Sequence, residues 1–126
     1  MSISRNTIAI AALAVLAIGA LATSADAHPK LKSVSPAADG SSKVSPKEIK
    51  LNFSEGVIAK LSGLELKDEA GKTIPTGVPA TDPGDRKQLV VPLQSPLIAG
   101  RYTVAWHAVS EDTHRVKGEY SFEVAR

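Results

Sequence analysis

Polar and apolar residues alternate in short runs along most of the chain after residue 28. Glu48-Ile49-Lys50-Leu51-Asn52-Phe53 places Ile49, Leu51 and Phe53 on one face of an extended segment. Leu64 and Leu66 repeat the pattern briefly, and Leu89, Val91 and Leu93 form a third set, in which Pro92 predicts an edge strand or a bulge. Tyr102, Val104, Trp106 and Ala108 make a fourth, and Tyr120, Phe122 and Val124 a fifth. Turn residues separate these runs at Ser35-Pro36 to Asp39-Gly40, Ser45-Pro46, Ala70-Gly71, Asp82-Pro83-Gly84-Asp85 and Ala99-Gly100. No long helical period follows residue 28. Short strands at this spacing predict an all-β fold, a Greek-key β-barrel or β-sandwich of immunoglobulin-like type. Leu97-Ile98-Ala99-Gly100-Arg101-Tyr102 has the pattern of a tyrosine corner, in which a Tyr hydroxyl bonds back to nearby backbone.

The first residues have a different character. Arg5 precedes an almost purely apolar run of about 15 residues from Ile8 to Ala22, the length of a signal-peptide core and short for a membrane span. Ala25 and Ala27 put small residues where a signal peptidase reads. Residues 1–27 are therefore expected to be a cleaved signal peptide, and residues 28–126 a single exported domain of about 99 residues.

Composition narrows the chemistry. The chain has 15 Lys+Arg against 13 Asp+Glu, a net charge of +2, and its lysines are scattered. With 4% aromatic residues, that argues for a solvated surface and against a nucleic-acid face. There are no cysteines, so the domain must be held by its core, and thiolate metal sites and thiol redox chemistry are excluded. The one methionine is Met1, which would leave with the signal peptide.

Several motifs reduce to turns. Gly71-Lys72-Thr73 lacks the upstream glycine of a phosphate loop, because Leu66 stands in its place, and reads as a hairpin turn. Asp82-Pro83-Gly84-Asp85 lacks the oxygen-rich ladder of a calcium loop.

Of the histidines His28, His107 and His114, the first is unusual. After cleavage it would be the first residue, and its free amine and imidazole Nδ1 could chelate one metal ion. Paired nitrogen donors of this kind favour Cu(II). Pro29 has no backbone N–H for copper to displace, which would leave coordination positions open for side chains of the folded domain. It also reads simply as a stiff start to the first strand. Asp112 and His114, two residues apart, would point the same way from an extended segment and could complete a set of three nitrogens and one oxygen. His107 falls out of register with the inward residues of its run and is expected on the surface. Glu55, at a strand end, reads either as a solvated turn residue or as a group that orients the metal ligands through a hydrogen bond.

The sequence His28-Pro29-Lys30-Leu31, with Ser35-Pro36-Ala37, Leu51-Asn52-Phe53-Ser54-Glu55, Leu97 to Tyr102 and Trp106 to His114, resembles the CopC family of periplasmic copper-resistance proteins over essentially the whole mature chain. The resemblance implies a Greek-key, immunoglobulin-like β-barrel. It also implies a Cu(II) site made by the terminal amine and imidazole of His28 with Asp112 and His114, with Glu55 close by. It further implies a copper carrier or buffer rather than an enzyme, working beside an inner-membrane transporter of the CopD kind. Well-known members bind Cu(I) through a methionine-rich loop, but here residues 68–88 contain neither Met nor His. One Cu(II) per chain and no dedicated Cu(I) site are expected. The expected protein is a periplasmic monomer with no membrane insertion after cleavage. Two rival readings are a copper oxidase of the polysaccharide monooxygenase kind, which also uses a terminal histidine, and a metal-free immunoglobulin-like interaction module.

Overall fold

The computed structural model describes residues 29–126; the expected signal peptide and His28 lie outside the described residues. Among the described residues, nine strands form two sheets. They are β1 (Leu31–Ser35), β2 (Ser41–Ser42), β3 (Glu48–Phe53), β4 (Gly63–Lys67), β5 (Thr73–Ile74), β6 (Ala80–Asp82), β7 (Asp85–Pro92), β8 (Gly100–Val109) and β9 (Arg115–Val124). One sheet has the order β1-β3-β7-β6 and the other β2-β9-β8-β4-β5. All neighbours are antiparallel except β2, which runs parallel to β9. The chain crosses between sheets after β1, β2, β3, β5 and β7, so strands distant in sequence become neighbours, as in a β-sandwich.

The core lies between the sheets. Ile49, Leu51, Phe53, Leu89 and Val91 meet Leu66, Tyr102, Val104, Trp106, Ala108, Phe122 and Val124. Every predicted inward run supplies buried residues, because alternation on a strand delivers a whole face to one side of its sheet. Phe53 and Trp106 meet edge to face across the sheets with ring centroids 5.5 Å apart. Each such buried side chain stabilises by about 1.5–3 kcal/mol relative to exposure, and with no disulfide these contacts carry the fold.

The expected tyrosine corner is present: the Tyr102 hydroxyl donates to the Ile98 carbonyl at 2.6 Å. Gly71-Lys72-Thr73 is a hairpin turn into β5. The Asp68 carboxylate accepts from the Ala70 and Lys72 amides at 3.0 and 2.9 Å, and Gly71 sits at φ 85°, where a glycine is at ease.

Pro92 departs from expectation. β7 is not an edge strand but lies between β3 and β6. Pro92 is its last residue, and its carbonyl accepts from Gly77 at 2.7 Å. In an antiparallel strand the nitrogen points to the same side as the carbonyl, so the missing N–H falls beyond the end of the three-residue β6.

Candidate metal centre

β8 and β9 form a long hairpin whose last paired residues are Val109 and Arg115. The loop between them, Ser110 to His114, holds two of the candidate ligands. The Ser110 amide donates to the His114 carbonyl at 2.9 Å, and the Thr113 amide donates to the Ser110 carbonyl at 2.8 Å, which closes a tight turn. Thr113 has φ 70°, a left-handed conformation that β-branched residues rarely adopt. The segment is thus a turn and not the extended strand assumed from its spacing. Asp112 and His114 are brought together by the reversal at Thr113 rather than by strand alternation.

The result is a close pair. His114 Nδ1 lies 3.1 Å from Asp112 Oδ1. The His114 and Asp112 side chains are 38% and 49% exposed, although the His114 Nδ1 atom itself is buried. The Ser110 hydroxyl donates to the same Asp112 oxygen, and this bond together with the neighbouring His114 holds the Asp112 carboxyl below its usual range.

One antiparallel bridge pins the loop to the segment that follows β3. Val57 stands opposite Ser110, and two bonds make the bridge: the Glu111 amide donates to the Gly56 carbonyl at 3.0 Å, and the Ile58 amide donates to the Val109 carbonyl at 2.8 Å. A Cβ on Gly56 would displace the half-exposed Glu111 carboxylate from its present place. The Val57 amide donates to the Arg86 carbonyl at 3.0 Å, and the Arg86 guanidinium meets Glu111 at 3.2 Å. Sequence reasoning missed Ser110, Gly56, Arg86 and Glu111, because their roles depend on contacts between distant segments.

The start of the described chain reaches the same end of the sandwich. Pro29 is buried. The Lys30 amide donates to Ser54 Oγ and the Ser54 amide to the Lys30 carbonyl, both at 2.8 Å. Glu55 is next in sequence, and its Oε2 is buried without a hydrogen-bond partner among the described residues. Bonded neighbours therefore link Lys30, Glu55 and the Ser110–His114 loop. His28 lies outside the described residues, and among those described no three His, Cys, Asp or Glu side chains form a metal-binding group. His107 is exposed on the outward face of β8, as its register predicts, with its ring beside Gly63.

A family model for the CopC domain matches residues 31–125. The chain belongs to the CopC family. It is 42% identical over 113 residues to protein YobA of Escherichia coli K12, covering 90% of this chain and 91% of YobA. It is also 42% identical over 110 residues to copper resistance protein C of Escherichia coli, covering 82% of this chain and 86% of that protein. Its fold superposes on the crystal structure of PcoC, a methionine-rich copper resistance protein from Escherichia coli, with a TM-score of 0.69 and 40% identity. That match covers 78% of this chain and 99% of PcoC. CopC membership ties the chain to copper resistance and accounts for the two-sheet architecture. Unlike the methionine-rich PcoC, this CopC chain has Met1 as its one methionine.

Proposed function

We propose that the mature protein starts at His28 and carries or buffers one Cu(II) in the periplasm, held by the His28 amine and imidazole with Asp112 and His114. The observation that carries this reading is the spacing of the Asp112–His114 pair. Nitrogen and oxygen donors sit about 2.0–2.2 Å from a small divalent ion, so two adjacent donors at right angles are about 3 Å apart. The pair stands at 3.1 Å already. A carboxylate and an imidazole suit copper, and further nitrogen donors favour Cu(II) over Cu(I).

The binding of Pro29-Lys30 beside Ser54 supports delivery of the preceding residue to this end of the sandwich, since consecutive Cα atoms are about 3.8 Å apart. The unpartnered oxygen of Glu55 suits a donor arriving with that residue, an amine or a ring N–H. The absence of methionine after Met1 leaves soft Cu(I) without thioether ligands. The copper-resistance names of the relatives favour a binding role over catalysis. In this reading the protein acts as a monomer, beside a CopD-like transporter in the inner membrane.

The test is titration of the mature chain with Cu(II), followed by electron paramagnetic resonance. One equivalent bound, with mixed nitrogen and oxygen ligation, is expected. Asp112→Ala and His114→Ala should each weaken binding at least about tenfold. Affinity unchanged by both substitutions would refute the site.

A further inference from the structure

Ser110 is the first residue of the loop and is 1% exposed. Its hydroxyl donates to Asp112 Oδ1 and accepts from the His114 amide at 3.1 Å. One buried oxygen thus touches both residues of the pair, one through its carboxylate and the other through its main chain. Ser110 is itself fixed, by its bridge to Val57 and by its own amide bond to the His114 carbonyl at 2.9 Å. An exposed Asp side chain would otherwise sample several rotamers, and fixing it on binding would cost affinity.

We propose that Ser110 is the positioning residue of the metal centre, its hydroxyl holding the Asp112 carboxylate against the His114 imidazole in the arrangement that receives copper. This rests on the reading of Asp112 and His114 as donors. Ser62 provides a matched contrast. It is also buried, its hydroxyl donates to the Ile58 carbonyl at 2.8 Å, and it accepts from the Val109 amide at 3.0 Å, one residue before Ser110. Neither bond of Ser62 involves Asp112 or His114, so Ser62 supports the strand end but not the pair.

The test compares S110A, D112A, the double variant and S62A in the mature chain. Each is measured for metal-free thermal stability, for Cu(II) affinity by competition, and by electron paramagnetic resonance. S110A should lose about 10–100-fold in affinity and shift its copper spectrum toward that of D112A. The double variant should lose less than the product of the two single losses, because the serine acts in part through the aspartate. S62A should melt earlier while its affinity stays within about twofold of the parent.

An S110A affinity within about twofold of the parent, or losses from S110A and D112A that multiply, would overturn the proposal. If D112A weakens binding and S110A does not, the positioning role alone fails. If D112A itself binds like the parent, the donor reading fails and the positioning role with it. A second measurement does not depend on S110A folding: in the metal-free parent, the Ser110 hydroxyl proton should exchange slowly enough to be seen by nuclear magnetic resonance. Exchange at the rate of a free serine would overturn the proposal.

Discussion

Tyr102 and Tyr120 are the two tyrosines of the chain, and both are held in the neutral form. Burial raises Tyr102 first, and the nearby Asp68 and Glu69 add to the shift. Burial alone drives Tyr120 well above its usual range, and its hydroxyl has no hydrogen-bond partner among the described residues. A raised folded-state value means that the native state favours the protonated form. The stability this contributes is complete below the unfolded value of about 10 and is lost as pH rises through and beyond it. Tyrosinate absorbance should therefore stay absent as pH passes about 10 and appear together with loss of the near-ultraviolet circular dichroism of the fold. A tyrosinate midpoint near the ordinary value, with that dichroism intact, would contradict the burial assigned to these rings. The Tyr102 corner was legible from the Leu97–Tyr102 pattern, since that bond is local. Nothing in the spacing around Tyr120 reports that its hydroxyl is buried without a partner.

The β8–β9 hairpin links the core to the candidate site. Trp106 and Gly118 are paired across it, and a Cβ at Gly118 would lie 2.6 Å from the Trp106 ring. The glycine therefore makes room for the indole, which packs against Phe53 in the opposite sheet. Gly118→Ala should push the ring into a filled core and cost about 1–3 kcal/mol, measured by denaturant unfolding. An unchanged midpoint would show that the ring has somewhere else to go. The long strands were readable because alternation repeats over enough residues to fix a face, as in Ile49-x-Leu51-x-Phe53. The two-residue strands β2 and β5 were not, since two positions carry no period. The loop from Ser110 to His114 was legible as a donor-bearing segment but not as a turn. Its shape comes from the left-handed Thr113 and from contacts with Gly56 and Val57, more than fifty positions away.

At the scale of the whole molecule, the sandwich gathers three segments at one end. These are the chain entering at Pro29, the exit from β3 at Ser54–Val57, and the Ser110–His114 loop. The opposed sheets fix that end, and with no cysteine in the chain the shared core does the fixing. In the proposed reading, signal cleavage would complete the site, because the chelating amine would not exist in the precursor. The most direct test titrates Cu(II) into two proteins, one starting at His28 and one with a single extra residue before it. The extension should weaken binding by more than about tenfold and change the nitrogen ligation seen by electron paramagnetic resonance, since the amine–imidazole chelate is lost. Equal affinity and an unchanged spectrum in the two proteins would contradict a site built on the exposed terminus.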